Sequence, residues 1–263
     1  MRFAIVSIFP GLIDAVMAYG VVGRAFAQGL AELRCFDPRD HAKDRHKRVD
    51  DRPYGGGPGM VMQPGPLVSA IEDARDFVGE GATVVCLSPS GDRFDRDKAA
   101  EYAKKITPTA APGQSAVAAV PGIVLLAGRY EGIDERVIEG WVDEELSVGD
   151  FVVSGGELPA LIVVDAVLRH CPGVLGHELS AVQDSFEQGL LDCPHYTRPE
   201  SFQGQDVPSV LLSGDHQAIE RWRRQQALSK TARHRPDLLD SLRQKGALSG
   251  DDLSLLGDVA KDE

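Results

Sequence analysis

The feature that most constrains this chain is a set of short, apolar runs that lead into polar, glycine-containing loops. Residues 123–127 (IVLLA) are the clearest case, five apolar residues followed at once by GRYEG. A run that short and that uniformly apolar suits a strand covered on both faces, as in a parallel sheet. Residues 2–8 are another β-rich apolar run, and 31–36 and 83–87 read as further short strands. Between them lie segments with helical spacing at 67–78 and 95–105, and Pro10 stands where the first position of a helix would be. Strand alternating with helix predicts an α/β fold with a parallel sheet.

Other segments read differently. Residues 107–122 (TPTAAPGQSAVAAVPG) carry no charge and are rich in Ala, Pro and Gly. They predict a loop or flexible insertion between a helix and the next strand. Residues 157–170 (ELPALIVVDAVLRH) are apolar nearly all round, which predicts a helix buried in a core or at a subunit interface. After Cys171 the periodicity fades, and residues 176–184 (GHELSAVQD) read as a linker. From Asp215 the sequence is charged and helical, with Ile219, Trp222 and Leu228 as anchors, and Pro236 opens another short helix. The expected organisation is an α/β domain over residues 1–175, a flexible linker over 176–184 and a smaller, mainly helical C-terminal domain over 185–263.

Composition excludes some classes. The chain is 43% hydrophobic and 26% charged, as in an ordinary soluble protein, and no apolar run approaches the roughly 20 residues of a membrane span. The first twenty residues carry one basic side chain and soon reach Pro10-Gly11, which reads as a strand entering a helix rather than a signal peptide. A cytoplasmic protein with no membrane partner is therefore expected. Cys35, Cys86, Cys171 and Cys193 lack zinc or redox spacing and read as reduced, small apolar side chains. The net charge of −12 argues against a polyanionic partner, yet residues 216–245 hold eight Lys/Arg against three acids. Local patches bind polyanions whatever the average. A solvated helix face is the other reading of the same residues.

Four segments hold more Gly and polar residues than packing requires. Residues 52–60 (RPYGGGPGM) lack the spacing and the lysine of a triphosphate loop, and on their own read as a tight turn. Residues 87–91 (LSPSG) and 128–137 (GRYEGIDERV) each follow a strand, where open α/β sheets bind ligands, so together they predict one shared pocket. Neither residues 128–137 nor residues 147–159 (SVGDFVVSGGELP) match a dinucleotide fingerprint, which disfavours a dehydrogenase. Backbone-rich loops of this kind suit a ligand with adenine and ribose but no phosphate.

These segments, with residues 184–200 (DSFEQGLLDCPHYTRPE) and 207–216 (VPSVLLSGDH), occur in an order that closely resembles the bacterial tRNA (guanine-N1-)-methyltransferase family. The resemblance runs from the first strand to about Arg235. Residues 107–122 look like an insertion relative to that family, and Phe151 stands where a Tyr is common. The resemblance implies a SPOUT-type α/β fold whose C-terminal part threads a deep trefoil knot, built around residues 128–137 and 147–159. It implies S-adenosylmethionine as methyl donor, with Mg²⁺ as a possible second cofactor at an unknown site. The partners it implies are tRNA and a second copy of the chain, in a homodimer with active sites at the subunit interface.

The same resemblance assigns roles. Leu87, Ser88 and Pro89 would touch the cofactor, as would Gly128, Tyr130, Glu131 and Gly132. So would Ser147, Val148, Gly149, Asp150, Phe151, Val152, Val153, Gly155, Gly156 and Pro159. The target is N1 of the guanosine at tRNA position 37, immediately 3′ to the anticodon. The proton on that nitrogen has to be removed, and charge then develops on O6. By motif match the base is Asp184 and the cation Arg169. Read on its residues alone, Asp184 is an N-cap for a helix starting at Ser185, and Arg169 a helix C-terminal charge or a surface ion pair. Glu131 would hold the target base or the methionine amino group, or else is a loop acid beside Arg136. Asp192 is a candidate for positioning the RNA. Tyr196 and Arg198 offer a stacking face and a phosphate contact, or pack the domain. The rival functions are another SPOUT methyltransferase, acting on rRNA or a ribose 2′-oxygen, and a non-catalytic RNA-binding relative.

Overall fold

The structure is a computed structural model that describes residues 1–108, 120–175 and 184–259. The chain divides into two compact units, Met1–Gly176 and His177–Glu263. The first unit opens with β1 (Arg2–Val6), α1 (Pro10–Met17), α2 (Gly20–Ala27) and β2 (Glu32–Phe36). A two-stranded ribbon of β3 (Asp50–Asp51) and β4 (Val61–Met62) leads into α3 (Pro64–Val78) and β5 (Thr83–Arg93). Then come α4 (Arg96–Ile106), β6 (Ile123–Ala127), α5 (Glu135–Trp141), β7 (Glu144–Ser147) and α6 (Glu157–Arg169).

Five of these strands form one sheet in the order β2-β1-β6-β5-β7, with every neighbouring pair parallel. The fold is thus mixed α/β around a parallel sheet. Successive strand side chains point to opposite faces, and the sheet feeds two separate cores accordingly. Phe3, Ile5, Val85, Leu87, Ile123 and Leu125 enter one core, with residues of α4 and α6. Ala4, Val6, Val84, Cys86, Val124 and Leu126 enter the other, with residues of α3 and Val137 of α5. All five residues of β6 are buried, which is why IVLLA has no polar alternation.

Strand β5 runs six residues beyond the apolar 83–87 stretch. Leu87 and Asp92 both pair with Leu146, so residues 88–91 bulge out of the ladder before the strand resumes. A bulge leaves its residues unpaired, and a polar SPSG sequence carries no strand signal. The ends of the uncharged 107–122 segment belong to the fold. Thr107 donates its hydroxyl to the Ala103 carbonyl at 2.6 Å, and the Gly122 N–H donates to Val78 O at 3.0 Å. Residues 109–119 and most of the expected linker, 176–183, lie outside the described residues. Among the described residues no helix is long and apolar enough to cross a membrane.

The second unit holds a small ribbon of β8 (Ser201–Phe202) and β9 (Gln205–Asp206) and a 3-10 turn at Ser209–Leu212. Helices α7 (His216–His234), α8 (Pro236–Gln244) and α9 (Gly250–Val259) follow. Asp215 caps α7 by accepting the N–H groups of Gln217 and Ala218. Leu190, Leu228, Leu239 and Leu255 form the core. Of the three expected anchors on α7, Leu228 is buried, while Ile219 and Trp222 are half-buried.

The basic run over 216–245 is only partly the outward patch that the sequence predicts. The Arg224 guanidinium grips Asp252 with two hydrogen bonds of 2.7 and 2.9 Å, tying α7 to α9. Arg235 pairs with Asp237, Arg243 with Asp240, and Lys230 donates to the Asp192 carbonyl. Arg224 in particular is a structural group, because Asp252 is buried and requires a cationic partner.

Candidate active site

Three loops leave the C-terminal side of the sheet, from the bulge in β5 and from the ends of β6 and β7, and enclose a cavity of about 370 Å³. That volume lies in the range of small-molecule sites. Leu87, Ser88 and Pro89 line it from the first loop. Gly128, Tyr130, Glu131 and Gly132 line it from the second. Ser147, Val148, Gly149, Phe151, Val152 and Val153 form the third side, with Gly155, Gly156 and Pro159 where α6 begins. Asp150 is exposed and does not belong to the wall.

One buried carboxylate organises two of these loops. Glu157, fully buried at the start of α6, accepts the Ser7 hydroxyl at 2.7 Å and the Arg129 guanidinium at 2.9 Å through both Nε and Nη2. Arg129 also donates to the Ser154 carbonyl at 2.9 Å, and its guanidinium lies 4.5 Å from the centre of the Phe9 ring. A buried carboxylate is tolerated only when paired and hydrogen-bonded, and here the pairing joins the β6 loop to the loop before α6. The approach depends on Gly155, since a Cβ there would fall 2.1 Å from Arg129 Nε.

Residues 52–60 do not line the cavity. The end of that segment is instead stitched to the second loop, as the Glu131 N–H donates to Met60 O and Met62 N–H to Gly132 O, both at 2.9 Å. Glu131 lies against Gly59 so closely that any Cβ at that position would overlap it. Arg136 binds Asp134 at 2.7 Å, so the expected pairing with Glu131 is replaced by a neighbouring carboxylate. Burial raises the pKa of the Tyr130 hydroxyl, and Asp50 adds to the effect.

The family model described as "tRNA (Guanine-1)-methyltransferase TrmD" matches residues 1–241. The chain belongs to this family. A protein of Pseudoalteromonas translucida named tRNA (guanine-N(1)-)-methyltransferase is 52% identical over 238 residues, covering 90% of this chain and 88% of the relative. Proteins of the same name from Sodalis glossinidius and Serratia proteamaculans are 49% and 50% identical over 262 residues. Those two alignments cover all of this chain and 97% and 95% of the relatives. A methyltransferase of this family requires a methyl-donor cofactor.

The two expected catalytic residues fall in different units. Arg169 is the last residue of α6 and is half-buried. Asp184 is half-buried in the second unit, where residues 184–188 form turns rather than a helix, with the Glu187 N–H donating to Asp184 O at 3.3 Å. The helix that would make Asp184 an N-cap is therefore absent at Ser185. Asp192 accepts the His195 ring nitrogen and the Cys193 N–H, both at 2.7 Å. Although burial raises its pKa, these hydrogen bonds hold the carboxyl below the usual range.

Sequence reasoning missed Arg129, Ser90, Ile133, Ile138 and Glu145 in the cavity wall. Arg129 had a signal, a cation directly after a buried strand with a lone acid heading the next apolar helix. Among the described residues, the one group of three metal-ligating side chains within 4.8 Å of one another is Asp192, Cys193 and His195. That mixed oxygen, sulfur and nitrogen set does not fit Mg²⁺, which takes oxygen ligands in near-octahedral array.

Proposed function

We propose that the chain transfers a methyl group from S-adenosylmethionine to N1 of the guanosine at tRNA position 37. The carrying observation is that the loops after β5, β6 and β7 line one cavity, with each of the expected cofactor residues except Asp150 in its wall. The donor set fits an adenosyl ligand. Backbone groups of the glycine-rich loops are available to an adenine edge, and Leu87, Ile133, Ile138 and Pro159 offer apolar surface. Glu131 and Glu145 offer carboxylates to an ammonium group. Arg129, the single Lys or Arg among the described lining residues, is already neutralised by Glu157, so the cavity suits a ligand without phosphate.

When bound, S-adenosylmethionine supplies an electrophilic sulfonium methyl. The residues of the chain then align it and move a proton. Asp184 accepts the N1 proton, and Arg169 stabilises the charge that develops on O6. The Arg129–Glu157 pair keeps the loops in place, so that alignment is prepaid in folding. We assign residues 1–175 to a SPOUT-type domain with a trefoil knot at 128–137 and 147–159. Residues 176–184 are the linker and 185–263 a tRNA-binding domain.

The active form is a homodimer in this proposal. Its support is a group of exposed apolar side chains, with Leu158 and Ile162 one turn apart on α6 and Phe9 and Leu12 at the start of α1, which packs on α6. Such groups mark association surfaces.

The test is an unmodified tRNA transcript incubated with labelled S-adenosylmethionine, followed by digestion to nucleosides. Label in 1-methylguanosine at position 37 is the expected result. Label in a 2′-O-methyl nucleoside, or no label in the tRNA, overturns the assignment.

A further inference from the structure

The second unit has a cavity of its own, of about 380 Å³, between the segment 194–200, the 3-10 turn and α7. Two aromatic rings, Tyr196 and Trp222, meet in its wall with centroids 6.2 Å apart. Tyr196 is 50% exposed, so a face of the pair is open to an occupant. Arg198 and Arg223 also line it and are exposed. Among the described residues neither has a carboxylate within ion-pair distance, whereas the next residue, Arg224, is locked to Asp252. One arginine of the adjacent pair on α7 thus serves the fold, and the other is left for the cavity.

Two tilted aromatic rings, 56° apart in plane, beside two guanidiniums that hold no ion pair have a defined chemistry, and the exposed Glu200 is the one carboxylate among the described residues of the same wall. Aromatic faces accept any unstacked base, and guanidinium groups hold phosphate. A purely apolar occupant has no use for the arginines, and a bare anion has none for the rings. Folding the unit does not require the opening either, because the leucine core of α7, α8 and α9 involves other residues. We propose that this cavity receives the base of a second, unstacked nucleotide of the substrate RNA, distinct from the methylated guanosine, with an adjoining phosphate on Arg198 and Arg223. The inference rests on the tRNA-methylating function proposed above.

The experiment uses the full chain and a set of tRNA transcripts, each abasic at one nucleotide of the anticodon loop. Wild-type methylation of the intact transcript tests the functional reading first. Kd values are then measured for wild type, Tyr196→Leu, Trp222→Leu and Arg223→Gln, with S-adenosylmethionine affinity and a thermal melt as folding controls. Loss of stacking should weaken binding of the intact RNA roughly 5- to 100-fold. One abasic position should cause the same loss in wild type and no further loss in Tyr196→Leu. Arg223→Gln should lower the salt dependence of binding. Costs that add at every abasic position overturn the proposal, as does an unchanged Kd in variants that melt normally. If Trp222→Leu fails to fold, the half-exposed Tyr196 carries the same cycle alone. A wild-type protein that neither binds nor methylates the transcript overturns the functional reading, whereas indifferent cavity variants of an active enzyme overturn only this assignment.

Discussion

Arg129 reaches from the loop after β6 to the carboxylate of Glu157, 2.9 Å away and fully buried at the first residue of α6. Removing one partner of a buried pair leaves an uncompensated charge, at a cost of about 3–5 kcal/mol. Arg129→Ala should therefore lower the stability of the first unit by that order in urea unfolding. Adding Glu157→Gln should restore part of the loss, since the stranded charge goes. A single variant that costs less than about 1 kcal/mol would show that the pair is no keystone of these loops.

Gly155→Ala should be milder and more telling. The new methyl carbon would displace Arg129 Nε from 2.1 Å, and a long side chain can yield where backbone cannot. The protein should fold with roughly 1–3 kcal/mol less stability, the cost of a disturbed charge-assisted hydrogen bond. S-adenosylmethionine binding, measured by calorimetry, should weaken because both loops shift. Unaltered cofactor affinity would separate the Arg129 link from the cavity's shape.

The Arg224–Asp252 link makes a pH prediction for the second unit. Hydrogen bonds from Arg224, aided by Ser249, lower the Asp252 pKa to about 2 from an ordinary value near 3.8. A carboxylate whose pKa is depressed on folding stabilises above its unfolded pKa and loses that contribution as pH falls through the folded one. The link should thus act fully above about pH 5 and fade between roughly pH 4 and 2. Asp252→Asn should flatten that part of the stability profile of α7–α9. An unchanged acid limb would mean that another carboxylate governs it.

Much of this was open to a reader of the sequence, for physical reasons that differ by element. IVLLA could be read because a strand buried on both faces must be apolar at each residue, and β6 is. The cavity followed because polar glycine loops after strands have few other uses. The extension of β5 to Arg93 was hidden, since its bulge consists of polar residues and its register is set by a partner 55 residues away, where Ser90 meets Glu145. The role of Arg224 was hidden for a related reason. A run of arginines on one helix looks alike in sequence, and only tertiary packing tells the residue that meets Asp252 from the one that faces a cavity.

Asp184→Asn should depress methyl transfer by roughly 10²–10⁴-fold, the usual loss for a general base. Cofactor binding should stay near wild type, because the role proposed for the carboxylate is proton transfer and not affinity. The decisive measurement is single-turnover methylation beside calorimetry on the same sample. A variant that no longer binds S-adenosylmethionine would place Asp184 in the cofactor site instead.

The dimer yields the last prediction. Leu158 and Ile162 are about half exposed on the helix that ends in Arg169. In an isologous pair such a patch meets its own copy, which brings the helix carrying the proposed cation to the subunit boundary. The proposed base sits in the other unit of the chain, so we predict that each cavity is completed by the partner's Asp184. One inactive parent carries Asp184→Ala. The other carries Gly155→Trp, a side chain with no room beside Arg129. Random remixing makes about half of the dimers mixed. If the base acts across the interface, each mixed dimer has one site with an intact loop and an intact Asp184, and one with both defects. Activity should then return to roughly a quarter of wild type from two inactive parents. If the base acts within its own chain, both sites of every mixed dimer carry one defect, and verified heterodimers stay as inactive as the parents.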